Sequence, residues 1–290
     1  MTNRLETMAA NIKGRDKPMA KFICNFISYT LKRTVDITVI IPSPTIPESL
    51  GLSEELGKKP SHLKPAKYPV VYLLHGYGNN HAQWTGYTNV ELFAEEQQIA
   101  IVNLSAENKC YVKVGMDDFF TFVSEELPEF VTNNFPVSDK PEDNYIAGLS
   151  MGGYGTLVHA FRHPERFHAL GAFSAAISIN PETIGQSLPE TASEEKKEIA
   201  PEFDPSALVD RAVAEGKKLP KIYMACGNKD FLYEADKAFA KKLKELGADV
   251  TWDEIGQYGH EWRFWNIEIE RFLNWLPRED YFAKQGKRQI

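Results

Sequence analysis

The chain has 290 residues and a formal net charge of −7, with 43% apolar, 12% aromatic and 25% charged side chains. That much apolar surface excludes a mainly disordered chain, and one core of this size buries roughly three quarters of the unfolded surface. The acidic balance without a basic stripe excludes nucleic acid as the main partner, and the longest apolar runs, Val70–Leu74 and Ile222–Cys226, fall far short of a membrane span.

In chain order, the first 25 residues carry Arg4, Lys13, Arg15, Asp16 and Lys17 with no apolar stretch between them, so no secretory leader is read. Cys24, Cys110 and Cys226 form neither a disulfide framework nor a paired metal spacing, and the expected location is the reducing cytoplasm. Phe22–Leu31 and Val35–Ile41 read as an antiparallel strand pair. Residues 42–69 hold six prolines, too many for a sheet interior or a long helix, and read as a surface excursion. From residue 70 onward short apolar strands alternate with amphipathic stretches, the pattern of a mostly parallel sheet flanked by helices. The strands are Val70–Leu74, Ile99–Leu104, Asn144–Ala147, His168–Phe173, Ile222–Cys226 and Val250–Ile255. The helices are Val90–Gln97, Asp117–Val131, Gly152–His163, Glu234–Leu246 and Trp262–Trp275. The charged segment 180–220 reads either as a solvated connection or as a cap over the strand ends.

The most informative stretch is Asn144–Thr156, where a strand runs through Gly148-Leu149-Ser150-Met151-Gly152 directly into a helix. This Gly-x-Ser-x-Gly turn in strand–turn–helix context is a nucleophile elbow. Ser150 has to sit on a sharp turn, strained by about 1–3 kcal/mol, where side chains at 148 or 152 would collide. The helix behind it aims N–H groups and a positive dipole end at developing negative charge. Gly153 and Gly155 are expected to let that helix lie close to the sheet. No Gly-Lys-Ser/Thr follows, which removes a phosphate-loop reading.

A serine hydroxyl needs a base to take its proton and an acid to fix the base's tautomer. In the order Ser, Asp or Glu, His, the histidines after Ser150 are His159, His163, His168 and His260. The first two lie in the helix behind the nucleophile and His168 opens a strand at its wrong end. His260, in the loop between the last strand and the last helix, is the general base. Asp230, in the turn after Ile222–Cys226, is the acid, with capping of the following helix as its alternative role. The oxyanion donors are the backbone N–H groups of Met151 and, after the strand ending in His75-Gly76, of Tyr77. His75 is read as a brace for that loop. Cys110 and Cys226 lack an elbow and are not read as nucleophiles. Trp84, Tyr111, Ile177 and Trp262 are candidates for an acyl pocket by their proximity to these loops, with core packing as the alternative for each.

Leu73–Gly76, Gly148–Gly155, Cys226–Tyr233 and Gly259–Trp265 resemble the esterase D branch of the α/β-hydrolases, especially the bacterial tributyrin-esterase and feruloyl-esterase-like members. The resemblance extends from about Phe22 to Leu276. It implies one α/β-hydrolase domain over residues 1–290, a Ser150–Asp230–His260 triad and Tyr77 and Met151 as oxyanion donors. It also implies a serine carboxylesterase for short-chain acyl or hydroxycinnamoyl esters, with no metal or organic cofactor and a small-molecule ester as partner. Homo-oligomerisation stays open. S-formylglutathione hydrolases of this group typically carry Gly-His-Ser-Met-Gly-Gly and a Cys-Thr pair where this chain has Leu149 and Asn79-Asn80. Acyltransfer on the same fold and a non-catalytic hydrolase-like binding protein are the remaining alternatives.

Overall fold

The computed structural model describes residues 19–51, 62–178, 201–288 and 290. The chain opens with β1 (Met19–Ser28) and β2 (Arg33–Pro42), an antiparallel pair that turns through Lys32 in a left-handed conformation. Then follow β3 (Val70–Leu74), α1 (Gln83–Tyr87), α2 (Val90–Gln97), β4 (Ala100–Leu104), a ribbon of β5 (Lys113–Val114) and β6 (Asp117–Asp118), and α3 (Leu127–Asn134). The second half runs β7 (Asn144–Leu149), α4 (Met151–Arg162), β8 (Ala169–Phe173), α5 (Pro205–Ala214), β9 (Lys221–Gly227), α6 (Tyr233–Glu245), β10 (Val250–Ile255) and α7 (Trp262–Trp275). Eight strands form one sheet in the order β1-β2-β4-β3-β7-β8-β9-β10, parallel from β4 to β10.

Period-two alternation divides each central strand between two cores. Val70, Tyr72 and Leu74 of β3 join Ile146 of β7 and Leu157 of α4 on one face, with α5 and α6. Val71 and Leu73 join Tyr145, Ala147 and Leu149 with α2 and α7 on the other. Helices therefore cover both faces, which a parallel sheet with apolar strands on both sides requires. Among the described residues no helix is long and apolar enough to cross a membrane.

Two stretches differ from the sequence reading. The expected helix over Asp117–Val131 begins as strand, because Asp117–Asp118 pairs with Lys113–Val114. The Asp118 side chain then accepts the Thr121 N–H at 2.9 Å and starts helix at Phe119. Pro128 has no N–H to give Ser124, and the ladder widens to a π-helical turn over Phe122–Glu126, with Leu127 N–H donating to Phe122 O, before α3 resumes. In the 180–220 segment, residues 179–200 lie outside the described residues. The remainder holds α5, capped by Asp204 on Ala207 N–H at 2.8 Å and docked on α4 through Leu208 and Val209. The neighbouring charge run hid its Asp-Pro start from the sequence reading.

Candidate active site

The site assembles where β7, β9 and β10 end. Ser150 is the residue between β7 and α4, with φ 55° and ψ −116°, a region that a non-glycine residue occupies only under constraint. The constraint is visible: Ser150 N–H donates to Phe173 O at 2.9 Å, and its carbonyl accepts Ala176 N–H at 3.1 Å. The elbow glycines follow from close approach. A Cβ on Gly148 would lie 2.4 Å from Gly152 O, and one on Gly152 would lie 2.5 Å from Leu74 O. Gly153 lies against the sheet as expected, a Cβ there standing 3.4 Å from Gly148 O of β7, whereas Gly155 faces Tyr111. A Cβ at 153 would meet Ala175 at 2.7 Å, and one at 155 the Tyr111 ring at 2.6 Å.

The loops after β9 and β10 are stitched together, which places Asp230 and His260 side by side. Asn228 Oδ1 accepts Gln257 N–H at 2.8 Å and Lys229 N–H donates to Tyr258 O at 3.0 Å. Asp230 then uses its two carboxylate oxygens differently. Oδ1 accepts Leu232 N–H at 2.9 Å, tightening the turn into α6, while Oδ2 lies 2.9 Å from His260 Nδ1. Asp230 thus bonds both the turn before α6 and the imidazole. His260 Nε2 is 3.0 Å from Ser150 Oγ. A carboxylate only accepts, so Nδ1 carries the imidazole proton and Nε2 is left as acceptor for the serine hydroxyl. Burial works to raise the Asp230 pKa, but the His260 hydrogen bond and charge, with the Leu232 amide and Ser174 hydroxyl, hold it below the usual range. Phe231 and Trp265 pack on the imidazole with ring centres at 4.7 and 4.9 Å. Ser150 and His260 stay partly exposed, so the hydroxyl is open to a ligand.

The loop after β3 lies beside the elbow, since a Cβ on Gly76 would stand 3.6 Å from Ser150 Cβ. His75 donates from Nδ1 to Gly76 O at 2.7 Å and accepts Ala106 N–H on Nε2 at 3.0 Å. Burial lowers its pKa to about 4, so it is a neutral brace with both nitrogens occupied. Tyr77 follows in that loop, and Met151 opens α4 directly after Ser150. His159 is buried with Nε2 donating to Tyr111 O, and burial lowers it to about 4.

The four pocket candidates separate. Tyr111 is fully buried and its hydroxyl donates to His75 O at 2.8 Å, while Trp84 is buried with Nε1–H on Leu74 O at 2.9 Å. Both serve the core and support the two loops. Trp262 and Ile177 are partly exposed, and Trp262 stacks on exposed Tyr87 at 5.1 Å. The sequence reading missed Ser174, a buried residue whose Oγ accepts Trp265 Nε1–H at 3.2 Å beside the acid. It also missed Asp236. An Asp six residues after Asp230, on the inner face of the following helix, was the available signal.

Residues 58–275 match the family model described as "Putative esterase". The acetyl esterase of Caldicellulosiruptor saccharolyticus is 30% identical over 273 residues, covering 90% of this chain and 99% of its own. Among solved structures, fluorophosphonate-binding serine hydrolase F of Staphylococcus aureus superposes with a TM-score of 0.78 at 26% identity, over 90% of this chain and 100% of that one. The S-formylglutathione hydrolase of Staphylococcus aureus gives 0.76 at 26% identity, over 89% and 98%.

Proposed function

The chain belongs to the esterase family and is a carboxylic-ester hydrolase, and on that premise we propose that Ser150, His260 and Asp230 carry out two-step acyl transfer from short-chain esters to water. The observation that carries this reading is the hydrogen-bonded line from Ser150 Oγ through both nitrogens of His260 to Asp230 Oδ2, at 3.0 and 2.9 Å. In the first step His260 Nε2 takes the hydroxyl proton as Ser150 Oγ bonds to the ester carbonyl carbon. The carbonyl oxygen, now an anion, accepts from the backbone N–H groups of Tyr77 and Met151. Collapse breaks the C–O bond to the alcohol, which leaves with the proton from Nε2. Water then attacks the acyl-serine, giving its proton to His260, and the acid departs with Ser150 restored.

The preference for short acyl groups rests on the acetyl esterase relative, with Ile177 and Trp262 as the pocket wall. Hydroxycinnamoyl esters are the second substrate class, favoured by the aromatic surface that Trp262 and Tyr87 present beside the His260 loop. The acidic balance and the cysteine pattern favour a cytoplasmic enzyme.

The test combines Ser150→Ala with p-nitrophenyl acetate, butyrate, octanoate and a feruloyl ester. Turnover of acetate and butyrate in the native chain is expected to exceed that of octanoate. It should fall by about 10⁴-fold or more in the folded variant, which should also lose fluorophosphonate labelling. A folded Ser150→Ala protein that hydrolyses acetate at the native rate removes Ser150 from the mechanism.

A further inference from the structure

The segment after β8 touches everything the site depends on. Phe173 O accepts the Ser150 amide and Ala176 N–H donates to the Ser150 carbonyl, so the strained elbow is gripped from both sides by residues 173–176. Between these grips, Ser174 adopts φ 43°, donates its amide to Ala225 O at 2.8 Å, and accepts Trp265 Nε1–H on its hydroxyl. Trp265 in turn packs on His260. A chain that turns left-handed at a serine and still keeps four fixed contacts needs something to hold the turn. The next residue supplies the attachment: Ala175 N–H donates to Asp236 Oδ2 at 2.9 Å, reaching across to the first turn of α6.

Asp236 is unlike the other acidic side chains of α6, which face solvent. It is fully buried, with the Cys226 thiol as a further hydrogen-bonding neighbour of its carboxyl. The mechanism has no use for it, and a fully buried carboxyl is too costly to be a packing accident. We propose that Asp236 is a positioning residue for the esterase reaction: through the Ala175 amide it fixes residues 173–176, and through them the Ser150 backbone and the Ser174 hydroxyl beside Asp230. This rests on the reading of Ser150, His260 and Asp230 as the triad.

The same surroundings define its protonation. Burial pushes the Asp236 carboxyl well above the usual range and the nearby Asp230 charge adds to this, against the Cys226 thiol and the Ala175 amide. An ionised Asp236 would place a second negative charge beside the carboxylate that His260 needs. Burial and the Asp230 charge both favour the neutral form of Asp236 beside a charged Asp230, and what it contributes is an acceptor for one amide.

That assignment makes the amide analogue and the apolar isostere behave oppositely. Asp236→Asn keeps a neutral acceptor for Ala175 N–H. It should retain kcat within about threefold, with an unchanged pH–rate profile. Asp236→Leu fills the same space without an acceptor, so its kcat and its rate of fluorophosphonate labelling should fall together, by about tenfold to a hundredfold, with KM nearly unchanged. Asp236→Ser, smaller and less demanding to fold, should fall on the same side as Leu. Native-like kcat in folded Asp236→Leu or Asp236→Ser overturns the proposal. So does an Asp236→Asn protein as slow as the Leu variant or with a displaced acidic limb, the mark of a charged Asp236. Ser150→Ala in the same labelling assay separates the two ideas. Labelling that survives it strikes the triad reading, whereas labelling that depends on Ser150 but ignores residue 236 strikes this one.

Discussion

Replacing Asp230 by Asn tests the site at the point where its geometry is most constraining. The two carboxylate oxygens are not equivalent: Oδ1 accepts Leu232 N–H and Oδ2 faces His260 Nδ1, both at 2.9 Å. An asparagine here has to choose. With its oxygen kept on Leu232 N–H, its NH₂ points at Nδ1, which must then become the acceptor. The imidazole proton moves to Nε2, where it faces Ser150 Oγ, and the base is lost. The flipped amide would restore the tautomer only by setting NH₂ against the Leu232 N–H, leaving a buried donor unpaired at about 1–3 kcal/mol. Because α6 begins at that turn, the first orientation wins. A wrong tautomer in a serine triad lowers kcat by about 10⁴-fold, roughly 5 kcal/mol of barrier. The assay is initial-rate hydrolysis of p-nitrophenyl acetate by folded Asp230→Asn, with circular dichroism and a melting curve as controls. Activity within tenfold of native, or a loss confined to KM, would refute the tautomer argument.

Gly152→Ala should destabilise the fold by about 3 kcal/mol, the upper end for overpacking. Its Cβ would come within 2.5 and 2.7 Å of the Leu74 and His75 carbonyl oxygens, neither of which can swing away; an unchanged urea midpoint would contradict this. The third prediction concerns pH. The Tyr223 hydroxyl lies 2.8 Å from both Asp253 Oδ2 and Glu268 Oε2, so its one proton is shared between two carboxyl groups. Burial raises the Glu268 carboxyl to about 7, with the Asp253 charge adding to this and the Tyr223 hydrogen bond and Arg271 charge opposing it. Folded Glu268 thus keeps a proton that the unfolded chain releases near 4.5. Its contribution is complete below that pH and lost as pH rises through about 7. Glu268→Gln should flatten the stability–pH curve between those limits by on the order of 3 kcal/mol, and parallel curves for the two proteins would disprove it.

The parts of this molecule that were legible in the sequence are those where local chemistry and tertiary demand agree. β7 carries apolar residues for both cores, and the elbow glycines have no alternative because main-chain oxygens occupy the space of their Cβ atoms. The loop ends that hold Asp230 and His260 were readable because chain order restricts where a base and an acid can enter. The misread stretches depend on pairings that residue spacing does not show. Asp117–Asp118 looked helical until a partner strand claimed it, and the widened turn before Pro128 has no signature in residue spacing. Trp84 and Tyr111 looked like pocket residues because aromatic rings near catalytic loops suit either role. Only their hydrogen bonds to Leu74 O and His75 O assign them to the core. Asp236 reads from the sequence as an ordinary acidic residue of the helix after Asp230, and burial is what makes it unusual.

Ser150 follows β7, and Asp230 and His260 follow β9 and β10, with β8 lying between β7 and β9. A slip of one residue between any two of these strands would carry a side chain about 3.3 Å along the sheet and turn it to the opposite face. Oγ–Nε2 contact survives no such shift. Hydrolytic rate is therefore a direct reporter of strand alignment across half the sheet, and a sample can keep its full helical signal while losing turnover entirely through a single misaligned strand.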